Sequence, residues 1–169
     1  MNTPSKAKQA TVWWVLGIAL MAFITFTIIA TVVHEMGISF FVLAFHGTVN
    51  FSQWSWFWGQ TGYSGNFTPA EMFIIDSGGT LFVTLFMLLL IAIPEPLYTN
   101  ITAVVLGMRN LIDGFPALAG SDGFQAAKVS VVGAWVWYVV IFVVWALAIA
   151  YLAGFRISLK ESFSRKWYK

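Results

Sequence analysis

The sequence predicts an all-α, polytopic membrane bundle of about four spans, one of them short, with the N and C termini cytoplasmic. Three observations lead there. Hydrophobic residues make up 59% of the 169 residues, charged residues only 9%, and mean hydropathy is +0.80. A water-soluble domain carries roughly 25% charged residues, so this chain cannot cover a water-facing surface. The apolar residues fall in long runs separated by short polar stretches, and a helix needs about 20 of them to cross a hydrocarbon core of roughly 30 Å. Basic residues cluster at the two ends. Nine basic residues against seven acidic ones leave no basic face for nucleic acid, and the lack of cysteine excludes disulfides and thiolate metal sites. One integral membrane domain over residues 1–169, multi-pass in the cell membrane, is the expectation.

The spans are placed at about 10–35, 72–93, 97–112 and 129–155. Ala10 to Val33 is free of charge and about twice as long as a signal-peptide h-region, so it reads as a retained first span. Ser77 to Ile93, extended back to Met72, is closed by Pro94-Glu95-Pro96, which cannot continue a helix. Val129 to Phe155 is a second unambiguous charge-free run. Leu97 to Ile112 has 16 residues, contains Asn100 and Arg109, and reaches only about 24 Å as a helix. Flanking charge decides that it crosses. Lys6 and Lys8 precede the first span, while Arg156, Lys160, Arg165, Lys166 and Lys169 follow the last. Three spans put these clusters on opposite sides, against the positive-inside rule; four put both inside. His34, Glu35, His46 and Asp122 then share the outer face.

The outer segment 50–67 sets Phe51, Trp54, Trp56, Phe57, Trp58, Tyr63 and Phe67 among Ser, Gln, Gly and Asn. Such aromatics prefer the headgroup boundary. The segment is expected to lie on the membrane, with Trp54, Trp56 and Trp58 as an aromatic belt or as a docking surface for membrane partners.

Ionisable groups at membrane depth are costly, which makes each a functional candidate. His34-Glu35 ends the first apolar run and continues as Met36-Gly37-Ile38. In His-Glu-x-x-His zinc peptidases, residues four apart share a helix face, so two imidazoles reach one metal while the glutamate handles the water proton. Here the second position is Ile38. Further on, Arg109-Asn110-Leu111-Ile112-Asp113-Gly114-Phe115-Pro116 leads to Gly120-Ser121-Asp122-Gly123-Phe124, and Ser77-Gly78-Gly79 opens the second span.

Over about residues 25–130 these elements, in this order, resemble the site-2 protease family of intramembrane zinc metallopeptidases. The resemblance implies His34 as first zinc ligand, Glu35 as general base and Asp122 as third ligand. It leaves the second ligand without a counterpart, and two protein ligands make a poor zinc site. His46, the only other histidine, lies about 18 Å along a continuous helix and is rotated by roughly 120°. It joins His34 only if the chain turns back near Gly37. Simpler roles stand beside these: His34 and Glu35 as boundary groups at a helix end, Asp76 and Asp122 as helix caps, and Arg109 paired with Asp113.

The expected function is an accessory or scaffold subunit with a degenerate, non-catalytic site-2-protease-like core, and the cofactor expectation is either none or zinc. It would act through helix and aromatic-loop contacts with other membrane-protein subunits in the lipid bilayer. The alternative is a working intramembrane zinc metallopeptidase using His34, Asp122 and a replacement ligand. Two histidines in one helix region do not suit a haem or copper subunit, and a transporter calls for more spans and internal symmetry.

Overall fold

The computed structural model describes the backbone at residues 6–54, 59–93 and 98–167; within these, the side chains at 6–10, 52, 54, 98 and 155–167 are outside the description. The described chain is mostly helical. Helix α1 (Lys6–Ile24), a π-helical turn (Thr25–Ile29) and helix α2 (Ala30–Ala44) run on as one unbroken rod. A hairpin of strands β1 (Thr48–Trp54) and β2 (Gly59–Ser64) follows, then α3 (Pro69–Ala92), α4 (Tyr98–Asp113), the short α5 (Asp122–Val129) and the long α6 (Val131–Trp167). Among the described residues three stretches are long and apolar enough to cross a membrane: Thr11–Ala44, Pro69–Ala92 and Val131–Gly154. They show large apolar side chains outward, Trp13, Leu89, Val132 and Leu147 among them, a surface compatible with a lipid bilayer.

The first helix does not stop where the sequence reading ends its span. Met36 to Ala44 is apolar apart from Ser39 and contains no proline, so nothing interrupts the backbone ladder until Phe45 and His46. His46 takes a positive φ of 61° and turns the chain into β1. His34 and Glu35 are therefore set inside a helix and are not boundary groups. The all-α expectation also needs correcting, because the segment after His46 pairs as an antiparallel hairpin with a register shift between Val49 and Phe51. The extra residue of such a bulge bends and twists the strand. Val49, Tyr63 and Phe67 pack on the buried Ile38, Val42 and Ile75, so the hairpin is seated on α2 and α3.

Helix α3 is the hub, touching α2, α4, α5 and α6. It starts earlier than the apolar run suggests. Thr68 caps it, its hydroxyl accepting from the Glu71 N–H while the Glu71 carboxylate accepts from the Thr68 N–H at 2.7 Å, with Pro69 in the first turn. This capping box relieves Asp76 of the capping role expected of it. Helices α2 and α3 meet backbone to backbone: a Cβ on Gly37 would collide with the Gly78 carbonyl, and one on Gly79 with the His34 ring. Small residues permit this approach where packing rather than hydrophobic exclusion holds helices together.

Polar side chains tie the other helices to α3. The Asn110 amide donates to Thr84 Oγ1 at 2.7 Å, and the Trp137 indole donates to Thr80 Oγ1 at 2.9 Å. Around them Ala30, Val83, Met87, Ala103, Leu106 and Ala148 form an apolar core. Ser121, not Asp122, caps the helix that follows it: its hydroxyl accepts from the Phe124 N–H at 3.1 Å and donates to the Phe115 carbonyl at 2.7 Å. That helix is the separate α5, which ends at Ser130 before α6 begins. Gly120, at φ 88°, makes the turn before it, and a Cβ at Gly123 would strike the Gly114 backbone. The close approach lets α5 fold back so that Asp122 reaches α2.

Candidate functional site

Three separate elements bring polar side chains to one end of the α2–α3 pair. From α2 come His34 and Glu35, both buried. Asp122, in the first turn of α5, places Oδ2 2.5 Å from His34 Nε2. A carboxylate only accepts, so Nε2 is the donor and this bond fixes the ring's orientation. On the other ring nitrogen, Nδ1 has no hydrogen-bond partner, and Asp113 Oδ2 lies 3.9 Å from it. Asp113 is in turn bound by Arg109, Nε to Oδ2, at 3.0 Å, and the Arg109 guanidinium sits 5.4 Å above the Phe26 ring. Phe26 belongs to the π-helical turn, a departure that re-aims side chains within a helix. The result is a continuous line, Arg109–Asp113–His34–Asp122, linking α4, α2 and α5.

The hairpin supplies the remaining polar contacts. Thr61 Oγ1 donates to Glu35 Oε2 at 2.6 Å, and the Tyr63 hydroxyl donates to Asp76 Oδ1 at 3.3 Å. Thr61 and Tyr63 are two apart on one strand and so face the same side. Gly59 passes so close that a Cβ there would lie 2.6 Å from Glu35 Cγ. Between hairpin, α2, α3 and α5 is a cavity of about 490 Å³, lined among others by Glu35, Ile38, Thr61, Tyr63, Asp76 and Asp122. A smaller recess of about 90 Å³ adjoins it, sharing Glu35, Gly59, Gly120 and Asp122, and reaches His34, Arg109 and Asp113.

His34, Glu35 and Asp122 are thus brought together, and His46 is not. Helix α2 runs unbroken from His34 to Ala44, so the turn near Gly37 that His46 requires is absent. Trp56 and Trp58 lie outside the described residues, as does the Trp54 side chain. Asp76, within α3, is held by the Tyr63 hydroxyl at the cavity wall. The sequence reading assigned no place in the site to Asp113, Thr61 or Tyr63. The i, i+2 spacing of Thr61 and Tyr63 was the available signal for the hairpin pair, and Asp113 was noticed only as the partner of Arg109.

The residues present do not fit the zinc that the family resemblance implies. Ile38 occupies the position one turn beyond His34, where a second ligand belongs. Asp122 bonds directly to Nε2, and Asp113 approaches the opposite ring nitrogen, so a metal on one nitrogen cannot be shared by both carboxylates. Among the described residues no three His, Asp or Glu side chains are arranged to hold one metal ion.

No family model, curated protein or solved structure matches the chain. What the fold defines is a mostly helical protein with three helices able to span a membrane, a two-stranded hairpin and a polar chamber beneath it.

Burial, and after it the Asp76 carboxylate beside it, pushes the Tyr63 phenol up to about 12 from its usual 10.0. A pKa raised by folding contributes stability that is intact below pH 10 and fades as pH rises through 12. Phenolate absorbance of the folded protein should therefore contain a component titrating near pH 12 that Tyr63→Phe lacks, and stability should fall more steeply between pH 10 and 12 in the native chain. A Tyr63→Phe titration that loses only a component near pH 10 contradicts the contact with Asp76.

Proposed function

We propose that the protein is a four-span, multi-pass protein of the cell membrane with both termini cytoplasmic. In this reading it works by binding, as an accessory or scaffold subunit whose site-2-protease-like core does not catalyse. The observation that carries the reading is the pairing of His34 Nε2 with Asp122 while Ile38 occupies the next turn of the same face. A catalytic zinc keeps three protein ligands and one open position; here the first and third positions of the family pattern bond to each other. The histidine that anchors a metal in the family is thereby turned into a structural joint between α2 and α5. Glu35 is likewise engaged, accepting from Thr61. The peptidase alternative needs a replacement ligand, and His46 lies beyond the far end of α2.

Helix α4 is the short fourth span. Its 16 residues extend about 24 Å, and it packs against α3, α6 and the π-helical turn. Arg109, near its end, is neutralised by Asp113, which lowers the cost of that charge at membrane depth. Crossing here returns the chain so that the basic residues at both ends share the cytoplasmic side. The chamber then opens toward the outer side.

Two measurements test these points. A cysteine at the exposed Ser64, in a chain with no native cysteine, is expected to react with an impermeant thiol reagent from outside intact cells; reaction only from the cytoplasm overturns the topology. Metal analysis tests the core. The native protein should purify without stoichiometric zinc, whereas Ile38→His places an imidazole one turn from His34 and should acquire zinc, losing it again when Asp122→Ala is added. Zinc near one per native chain favours the peptidase, and an Ile38→His variant that gains none removes the site-2-protease-like reading of the core.

A further inference from the structure

Helices α4 and α6 run antiparallel and meet at Gly107, where a Cβ would fall on the Trp145 indole. From that contact to the start of α4 a groove of about 300 Å³ lies between them. Ile101, Val104 and Val105 form one wall and Ile149, Leu152 and Ala153 the other, with Asn100 the one polar residue among the described lining residues. The groove reaches the end of an apolar stretch, Val131–Gly154, that is long enough to cross a membrane. Helix α6 does not stop there but continues to Trp167. Beyond Gly154 the composition reverses: Arg156, Lys160, Arg165, Lys166 and Lys169 stand against the single acid Glu161. Helical register joins the two regions. Residues at i, i+3, i+4 and i+7 share a face, and Ile149, Leu152, Ala153 and Arg156 have that spacing, with Lys160 one turn further on. At 1.5 Å per residue, Arg156 and Lys160 follow Ala153 by about 4.5 and 10.5 Å. Arg165 falls near the opposite face. An apolar groove at the depth of the span thus runs into a basic helix face at its boundary.

We infer that this groove and the basic face beyond it bind an anionic glycerophospholipid, with an acyl chain between α4 and α6 and the phosphate at the level of residues 156 and 160. Both halves of the feature bear on the choice. A neutral sterol or diglyceride fills the groove and leaves the basic face uncompensated. A soluble anion pairs with the basic face and leaves the apolar groove open. Basic residues clustered just beyond a span are drawn to anionic lipid, whereas a zwitterionic headgroup carries its own ammonium, which offsets the phosphate. An anionic phospholipid alone matches apolar groove and basic face together. The site shares no lining residue with the polar chamber, and the inference stands whether the protein is a scaffold or a peptidase.

The test titrates the full chain, purified in a nonionic detergent, with dioleoylphosphatidylglycerol, and uses dioleoylphosphatidylcholine as the control with the same acyl chains. Phosphatidylglycerol is expected to raise the unfolding temperature saturably, with an affinity about tenfold above that of phosphatidylcholine, and inorganic phosphate to leave it unchanged. Arg156→Gln should lower the preference about fivefold. Arg165→Gln removes the same charge near the opposite face of α6 and should keep the preference. Ala153→Trp, at an exposed position, fills the groove and should abolish saturable binding of both lipids; Val105→Trp is the second groove variant in case the first fails to fold. Equal affinity for the two lipids, no saturable response, stabilisation by inorganic phosphate equal to that by phosphatidylglycerol, an equal loss of preference in Arg156→Gln and Arg165→Gln, or unchanged lipid binding in a folded groove variant overturns the inference. A chain that is dimeric without lipid and made monomeric by Ala153→Trp also overturns it, because a second copy then covers the groove.

Discussion

His34 and Glu35 are buried within an apolar helix, and the elements around them are arranged to supply their partners. Both side chains are buried within a rod that runs on to Ala44, and polar groups away from water cost free energy unless they are hydrogen-bonded. The partners come from elsewhere in the chain. Asp122 arrives on α5, Thr61 on the hairpin, and Asp113 approaches from α4 with Arg109 behind it. Each requirement sets a piece of the architecture. Helix α5 exists as a separate short helix because Ser121 starts it where Asp122 can face α2. The hairpin folds down over the end of α2 because Thr61 and Tyr63 must reach Glu35 and Asp76. Gly79 has no side chain because the imidazole occupies that space.

The same arrangement gives these buried polar groups partners from within the chain. His34 and Asp122 bond to each other, and Glu35 accepts from Thr61. An isoleucine in the second position adds to the apolar cluster with Val42 and Ile75. What remains is a chamber that is acidic, walled on one side by the hairpin and continuous with a recess ending at the imidazole.

Much of the helical framework was legible in the sequence, since long charge-free runs have few alternatives and Pro94-Glu95-Pro96 marks a stop. The errors lie where a local signal was outweighed. Charged residues usually mark a boundary, so the sequence places the end of the first span at Glu35; tertiary partners supply what water would supply, and the helix continues. Asp76 and Asp122 have the chemistry of caps, but Thr68-Pro69-Ala70-Glu71 is a better start for α3 and Ser121 stands before Asp122. The hairpin was missed because its strands are short and rich in Ser, Gln and Gly, and its pairing depends on packing against α2, which no local pattern reveals. The convergence of His34, Glu35 and Asp122 was anticipated from the ordered motifs. The part played by Asp113 was not, because it depends on how far α4 reaches beside the π-helical turn.

The bond between His34 and Asp122 joins α2 to α5, and a double-mutant cycle measures its strength. Unfolding free energies of the native chain, His34→Ala, Asp122→Ala and the double variant, taken in the same mixed micelles, isolate the pairwise contribution from the individual costs. A part-buried contact of 2.5 Å is expected to give a coupling of about 1–3 kcal/mol, with the double variant far less destabilised than the sum of the single ones. Additive effects, within about 0.5 kcal/mol, would mean that α5 does not deliver Asp122 to His34, and the chamber built on that contact would have to be abandoned.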